Sequence, residues 1–375
     1  MNIVNMKIFF VTYGDITLAA TMKRATGMAE HLIDLNNKVS IIALDCDANR
    51  KRFKQECPNA NILYFNKGNF LYEQKQKKKF IEDGVPDLVY VSSVGIRNWI
   101  HKFNSSNPNT KYVVEHSELT SMNHHFSIFR RGTYLLLEYM CKFIYDGQIV
   151  ASRFLYNHFS KKMTRNNKKK FLYCPYGYNA NILKIDNDKY NLLQKKYQGN
   201  KVILYMGTLK KNYGFIDLIN AGELLKQQSQ NFKILILGNG GDKKKGIELI
   251  KKKKLNDIIK FTGFVKEEDL GIYFKLAQVF ISPLNDTIQD WARCPGKLFM
   301  YSAFNKPVVT CRIGEALELF PKSDYFYKSG DVRDMSAKIL KALNIKKRII
   351  NNNSTSHEWN VRAKDFYNWT VKTII

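Results

Sequence analysis

Short apolar runs alternate with helix-length amphipathic segments along this chain, and that alternation constrains its fold more than any other feature. KIFFVTYG is followed by a helical pattern from Met22 to Leu35, then by KVSIIAL, and later by DLVYVSS, KYVVEHS and QIVASR. Strands joined by crossovers of helix length are parallel, so the first half predicts a Rossmann-like α/β sheet. A second series starts at KVILYMGTL, continues with a helix around Asp217 to Gln227, KILILGNGG and KFTGFV, and ends with a helix from Glu267 to Ala277, VFISP and PVVTC. Between the two series, FLYCPYGYNANIL turns at Pro175 and Gly177 and gives way to a polar stretch from Tyr190 to Gln198, which places a domain boundary near residue 182. Two domains also suit 375 residues, too many for one typical core.

The chain carries 60 Lys+Arg against 33 Asp+Glu, a net charge of +27. Either an anionic partner or a lysine-rich composition accounts for that excess, and the sequence leaves both open. Within it, FRRGTY at 129 to 134 and KKMTRNNKKK at 161 to 170 are the better candidates for contact with an anionic membrane surface. A nucleic-acid partner is not expected, because no zinc finger, RNP motif or aromatic-basic strand pattern is present. The six cysteines, at 46, 57, 141, 174, 294 and 311, form no C-x-x-C pair and fit a reducing compartment. MNIVNMKIFFVTYG reads as a first buried strand, and TYLLLEYMCKFIYDGQIVASRFL is interrupted by Glu138, Lys142 and Asp146, so no spanning helix is expected. The expected location is cytoplasmic, with peripheral attachment to the inner face of the cell membrane.

The stretch from residue 289, QDWARCPGKLFMYSAFNKPVV, sets Arg293 and Lys297 around a Pro-Gly step at the start of an apolar helical pattern that includes Leu298. Helix N-termini already favour anions, and added fixed cations suggest a phosphate. Gly296 permits close backbone approach. The other reading is two surface cations near a helix start.

These segments, taken in order, resemble the GT-B glycosyltransferases of the retaining group often called family 4. The resemblance rests on MGTLKKNYGFIDLINA, ILILGNGG, IKFTGFVKEEDLGIYFKLAQVFISP, CPGKLFMYSAFNKPVV and GDVRDMSAKI, with YVVEHSEL and IVASRFLYNHFSKK in the first half. It implies two Rossmann-like domains facing each other across a cleft: residues 1–182 for the acceptor, 183–356 for the nucleotide sugar, and a helix in 357–375 returning to the first domain. Trp359, Phe366 and Trp369 would give that helix its apolar face, although an ordinary terminal helix would show the same pattern. The implied activity is a hexosyl transfer from a nucleotide sugar to a glycan or lipid-linked acceptor in surface polysaccharide assembly, with no cofactor and no metal.

In that frame Arg293 and Lys297 would stabilise the departing diphosphate, and Gly207, Thr208, Lys211, Gly238, Gly240, Asp290 and Leu298 would hold the donor. The glycines alone are weak signals, since a G-x-G after a strand is often just a tight turn. Two glutamates frequent in the family are replaced by Ala292 and Met300, with Asp290 the nearest carboxylate. A noncatalytic relative that binds a glycan or protein partner is therefore the alternative.

On the first domain, His116 follows the strand KYVVE and would take a proton from the acceptor or steady the donor sugar; equally, it would hydrogen-bond a loop. Glu118 and Arg24 are the acceptor-side candidates, and Ala19, Ala20 and Thr21 permit close approach in YGDITLAAT. His116 with His124 and His125 lacks the spacing of a zinc site.

Overall fold

The computed structural model describes residues 4–16, 22–124, 126–161, 163–210, 213–228, 231–345 and 357–375. Ala19, Ala20, Thr21, His125, Lys162 and Lys211 lie outside these described residues. The chain divides into two compact units. One comprises Met1–Gly177, Ala292–Cys294 and His357–Ile375; the other comprises Tyr178–Trp291 and Pro295–Ser356.

In the first unit, strands β1 (Lys7–Val11), β2 (Lys38–Leu44), β3 (Asn61–Phe65), β4 (Leu88–Val91), β5 (Lys111–His116), β6 (Gly147–Val150) and β7 (Phe171–Tyr173) form one sheet in the order β3-β2-β1-β4-β5-β6-β7. Every pairing in it is parallel. Helices α1 (Met22–Asp34), α2 (Asp47–Glu56), α3 (Phe70–Gly84), α4 (Ile128–Ile144), α5 (Arg153–Ser160) and α6 (Arg165–Lys168) connect the strands. Strand β4 (LVYV) is buried at every position, as expected for a strand covered on both faces by helices.

In the second unit, helix α7 (Asn187–Lys196) precedes strand β8 (Lys201–Met206). Helix α8 (Phe215–Gln228), strand β9 (Phe232–Leu237), helix α9 (Lys243–Lys252), strand β10 (Ile259–Gly263), helix α10 (Glu267–Leu276) and strand β11 (Val279–Ser282) follow. Helices α11 (Ile288–Ala292) and α12 (Gly296–Ser302), strand β12 (Val308–Cys311), helix α13 (Glu315–Leu319), strand β13 (Phe326–Tyr327) and helix α14 (Val332–Leu343) complete the series. The sheet runs β10-β9-β8-β11-β12-β13, again wholly parallel. Strand order therefore reverses between β1 and β4 in one sheet and between β8 and β11 in the other. Ligands of open α/β sheets bind at the carboxyl ends beside such reversals.

The first unit ends at Gly177, ahead of the polar exit near residue 182, because Ile182 is already buried in the second unit. The backbone there lies so close to α10 that a Cβ on Gly271 would stand 2.0 Å from the Ile182 carbonyl oxygen. Helix α15 (Trp359–Thr373) packs on α1 within the first unit. Trp359, Phe366 and Trp369 are all buried, as the pattern of that segment predicts. Gly27 of α1 makes room for the Trp359 indole, which would lie 2.4 Å from an added Cβ, and Trp369 Nε1 donates to the Lys169 carbonyl at 2.8 Å.

Candidate functional site

The carboxyl ends of β8 and β9 carry two loops that lock together through backbone. Gly207 N–H donates to the Leu237 carbonyl at 3.0 Å, Leu209 N–H to Asn239 at 3.0 Å, and Asp242 N–H returns to Leu209 at 3.0 Å. A Cβ on Gly238, whose φ is 126°, would fall 2.0 Å from the Gly207 oxygen, and one on Gly240 would fall 2.5 Å from the Leu209 oxygen. Their N–H groups are also committed, Gly238 to the Gly263 carbonyl at 2.8 Å and Gly240 to Asn239 Oδ1 at 3.1 Å. Gly238 and Gly240 are thus glycines because one loop rests on the other. For these two glycines, expected to hold the donor or simply to form a tight turn, the contacts seen are those of loop packing.

With Gly207, Leu209 and Lys210 donating their N–H groups inside the loops, side chains have to supply what an anion would meet. Thr208 and Lys210 are exposed on either side of buried Leu209. Lys297, in the first turn of α12, sets its ammonium 4.6 Å from the centroid of the Tyr205 ring and 3.6 Å from where a Gly207 Cβ would be. Tyr205 is the residue that sequence reasoning missed. Its hydroxyl lies 3.4 Å from the Thr208 carbonyl and 3.2 Å from that of Tyr213, so one buried ring both underlies Lys297 and pins the loop. Its place next to the strand end was the only available signal.

Helix α12 is fixed under this loop by Tyr301, whose hydroxyl accepts the Met206 N–H at 2.9 Å and whose ring stacks on Phe280 at 4.3 Å. Leu298 is fully buried in the core, and its N–H closes the first turn on Pro295 at 3.0 Å, so the expectation that it touches the donor is corrected. Asp290 is likewise buried. Its carboxylate accepts from the Asn285 N–H at 2.6 Å and the Asn285 side-chain amide at 3.2 Å, which holds the loop after β11 and does not present the carboxylate outward as expected. Gly314, before α13, was also missed. At its φ of 52° it brings backbone within 2.9 Å, measured from an added Cβ, of the Asp290 and Trp291 carbonyls.

In the first unit the strand ends close on themselves. Arg24 is fully buried, with Nε 3.1 Å from Glu115 Oε1 and its guanidinium 4.7 Å from the Tyr176 ring centroid. It also donates to the Cys174 and Pro175 carbonyls. Burial opposes its charge, but Glu115 more than compensates and holds Arg24 above its ordinary pKa. Tyr90 donates to Glu115 at 2.6 Å, and Ser117 donates to the same carboxylate. The expected acceptor contact by Arg24 is corrected, because this side chain is spent on joining α1 to the ends of β5 and β7.

His116 is also buried, its ring 4.3 Å from that of Phe159 and its Nε2 2.9 Å from Gln148 Oε1. Burial pushes its pKa down to about 4, against the opposing bond to Gln148. A neutral ring donating to an amide oxygen across β5 and β6 is a poor proton acceptor, which suits the hydrogen-bonding alternative better than the general base. Glu118, two residues on, remains at the surface. Its packed surroundings raise its carboxyl above the usual range, and the charge of Arg293 opposes the rise. Arg293 groups with the first unit, where the Ala292 carbonyl accepts from Ser152 Oγ at 2.5 Å and Cys294 Sγ accepts the Tyr176 N–H at 3.2 Å. Its electrostatic partner here is thus Glu118, a role that the expected phosphate contact did not anticipate. Among the described residues, no three His, Cys, Asp or Glu side chains gather as a metal site.

Comparison with known proteins fits this layout. Residues 188–361 match the model of the glycosyl transferases group 1 family. Alpha-monoglucosyldiacylglycerol synthase of Acholeplasma laidlawii is 31% identical over 81 residues, 22% of this chain, and the match spans about a fifth (20%) of that curated relative's length. Among solved structures, a glycosyltransferase from Rickettsia africae superposes with a TM-score of 0.75 at 16% identity, over 98% of each chain. Anabaena HepE in complex with UDP and glucose gives 0.71 at 15% identity, covering 98% of this chain and 96% of that one. At these identities the likeness establishes the fold, which is GT-B.

Proposed function

Starting from a chain whose residues 188–361 form a group 1 glycosyltransferase domain on a GT-B fold, we propose that it transfers a hexose from a nucleoside diphosphate sugar, with retention of anomeric configuration. The acceptor is a glycan or a lipid-linked glycan in surface polysaccharide assembly, reached by peripheral attachment to the inner face of the membrane. The observation that carries the reading is Lys297, whose ammonium stands beside Gly207 at the end of β8, where strand order reverses. Glycosyl transfer leaves a diphosphate whose charge grows as the sugar departs. A cation already fixed there favours that charge more than the ground state. Thr208 and Lys210 flank the same loop, and Glu118 faces the acceptor in the first unit.

The structural relatives solved with UDP make uridine nucleotides the first to try. Calorimetry with UDP, GDP, ADP and their hexose derivatives tests the reading; one family of nucleotides binding at micromolar strength is expected, and silence with all of them contradicts it. A second reading, a noncatalytic binding protein, is favoured by two positions. Ala292 is buried with its carbonyl bound to Ser152, and Met300 packs against the core, where related sequences often carry glutamates. Nucleotide-sugar binding without sugar release or transfer, on any acceptor, would decide for it.

A further inference from the structure

Helix α4 faces the wrong way for an ordinary surface helix. Ser127 caps it, its hydroxyl accepting the Arg130 N–H at 3.3 Å, and seventeen residues run from Ile128 to Ile144. At the helical period, Ile128, Leu135, Leu136, Tyr139 and Phe143 share one face, with Phe129 at its margin. That face points to solvent: Phe129 is 90% exposed, Ile128 83%, and the other four more than half. The opposite face, turned inward, carries Glu138, whose carboxylate accepts from Ser121 N–H at 3.1 Å and Ser121 Oγ at 2.6 Å. Arg131 adds a bond from Nε to the Ser121 carbonyl at 3.0 Å. The helix is therefore held to its domain by these polar contacts together with buried Cys141 and Ile144, and it offers a second apolar side outward, where a contiguous apolar patch marks an interaction surface.

The charges around the patch say what covers it. Lys142 lies over the Tyr139 ring at 3.7 Å and is exposed at the edge of the apolar face, while Arg130, exposed over the Phe126 ring at 3.7 Å, sits on the other side of the helix at its amino end. Glu138 is the only acid in α4 and is buried, so the outward side presents cations alone. We propose that α4 is an in-plane docking helix for an anionic lipid bilayer, with Phe129, Leu136 and Phe143 entering the acyl boundary and Lys142 meeting the headgroups. Lysine and arginine stems lie along apolar surface while their heads stay among polar groups, as an interface requires. A helix of this length spans about 25 Å and suits lying in the interface. None among the described residues is long and apolar enough to cross. Meeting a second copy of the chain symmetrically would set these cations against each other with no acid on the face to answer them. A groove of about 280 Å³ opens beside the helix, lined by Ser121, Met122, Ile128, Arg131, Gly132 and Leu135.

This inference deepens the reading of peripheral attachment and rests on it for the acceptor alone; the test measures binding without turnover, so its failure leaves the nucleotide reading standing. The full chain is floated with phosphatidylcholine vesicles, with and without phosphatidylglycerol. Wild type should float with the anionic vesicles, and the double variant Leu136→Asp, Phe143→Asp should lose at least about tenfold in bound fraction with an unchanged thermal transition. Should that variant melt early, Lys142→Glu decides instead, and it should lower the preference for anionic lipid. Equal flotation on neutral and anionic vesicles, flotation unaffected by both variants, or a wild-type dimer that the double Asp variant converts to monomer would overturn the proposal.

Discussion

The two units share a strand order around their reversals, yet they use the carboxyl ends of their strands in opposite ways. In the first unit, Arg24, Glu115, Tyr90, Ser117 and Tyr176 satisfy one another in a buried cluster. In the second, backbone donors are consumed by loop-to-loop bonds, while Thr208 and Lys210 stay exposed and Lys297 is held beside them. Topology names both places as ligand sites with equal force. Burial separates them, because Arg24 and Glu115 are enclosed together, whereas Thr208 and Lys210 stay exposed at the strand ends of the second unit.

The sharpest way to break the comparison is to unmatch the buried cluster. Glu115→Ala leaves Arg24 charged and without its carboxylate, at a cost of about 3–5 kcal/mol. Urea unfolding should show that loss, and adding Arg24→Met should recover much of it. If Glu115→Ala unfolds at the wild-type midpoint, the cluster is not the closed structural device described above.

His116 gives the next largest effect and a pH signature. Its folded pKa of about 4 lies below the ordinary value of 6.5, so the unfolded chain takes up a proton first as pH falls. The stability it contributes is complete above about pH 6.5 and is lost between there and pH 4, by roughly 3 kcal/mol. His357, also pushed down to about 4, adds a slope of the same sign. Urea midpoints measured from pH 7.5 to 4 should fall, and His116→Gln should flatten part of that fall. An unchanged slope would return His116 to solvent and reopen its candidacy as a base.

Gly238→Ala probes the second unit. Crowding the Gly207 carbonyl should destabilise the protein by about 1–3 kcal/mol and weaken nucleotide binding with it. A variant as stable as wild type that no longer binds nucleotide would set this glycine against the ligand instead.

Much of the architecture was legible because hydrophobic periodicity reports burial directly. KVILYM and KILIL could only be buried strands, and Trp359, Phe366 and Trp369 mark one face of one helix. The site was less legible because a sequence shows charges and not their partners. Arg24 and Lys297 look alike in one dimension, but one is buried against Glu115, far along the chain, and the other lies over the Tyr205 ring. Leu298 and Asp290 share a motif with Lys297, yet α12 turns Leu298 into the core and the loop after β11 folds over Asp290. The interruption of the apolar run at Glu138 is plain in the sequence, but only the bond to Ser121 reveals that the acid points inward.

The central claim, that the open strand ends of the second unit bind a nucleoside diphosphate through Lys297, is tested most directly by titrating UDP, GDP and ADP into wild type and Lys297→Ala. Loss of a charge-assisted phosphate contact is worth about 1.5–3 kcal/mol, so the nucleotide that binds wild type should bind the variant at least about tenfold more weakly, with the unfolding midpoint unchanged. Equal affinity in the two proteins would contradict the account.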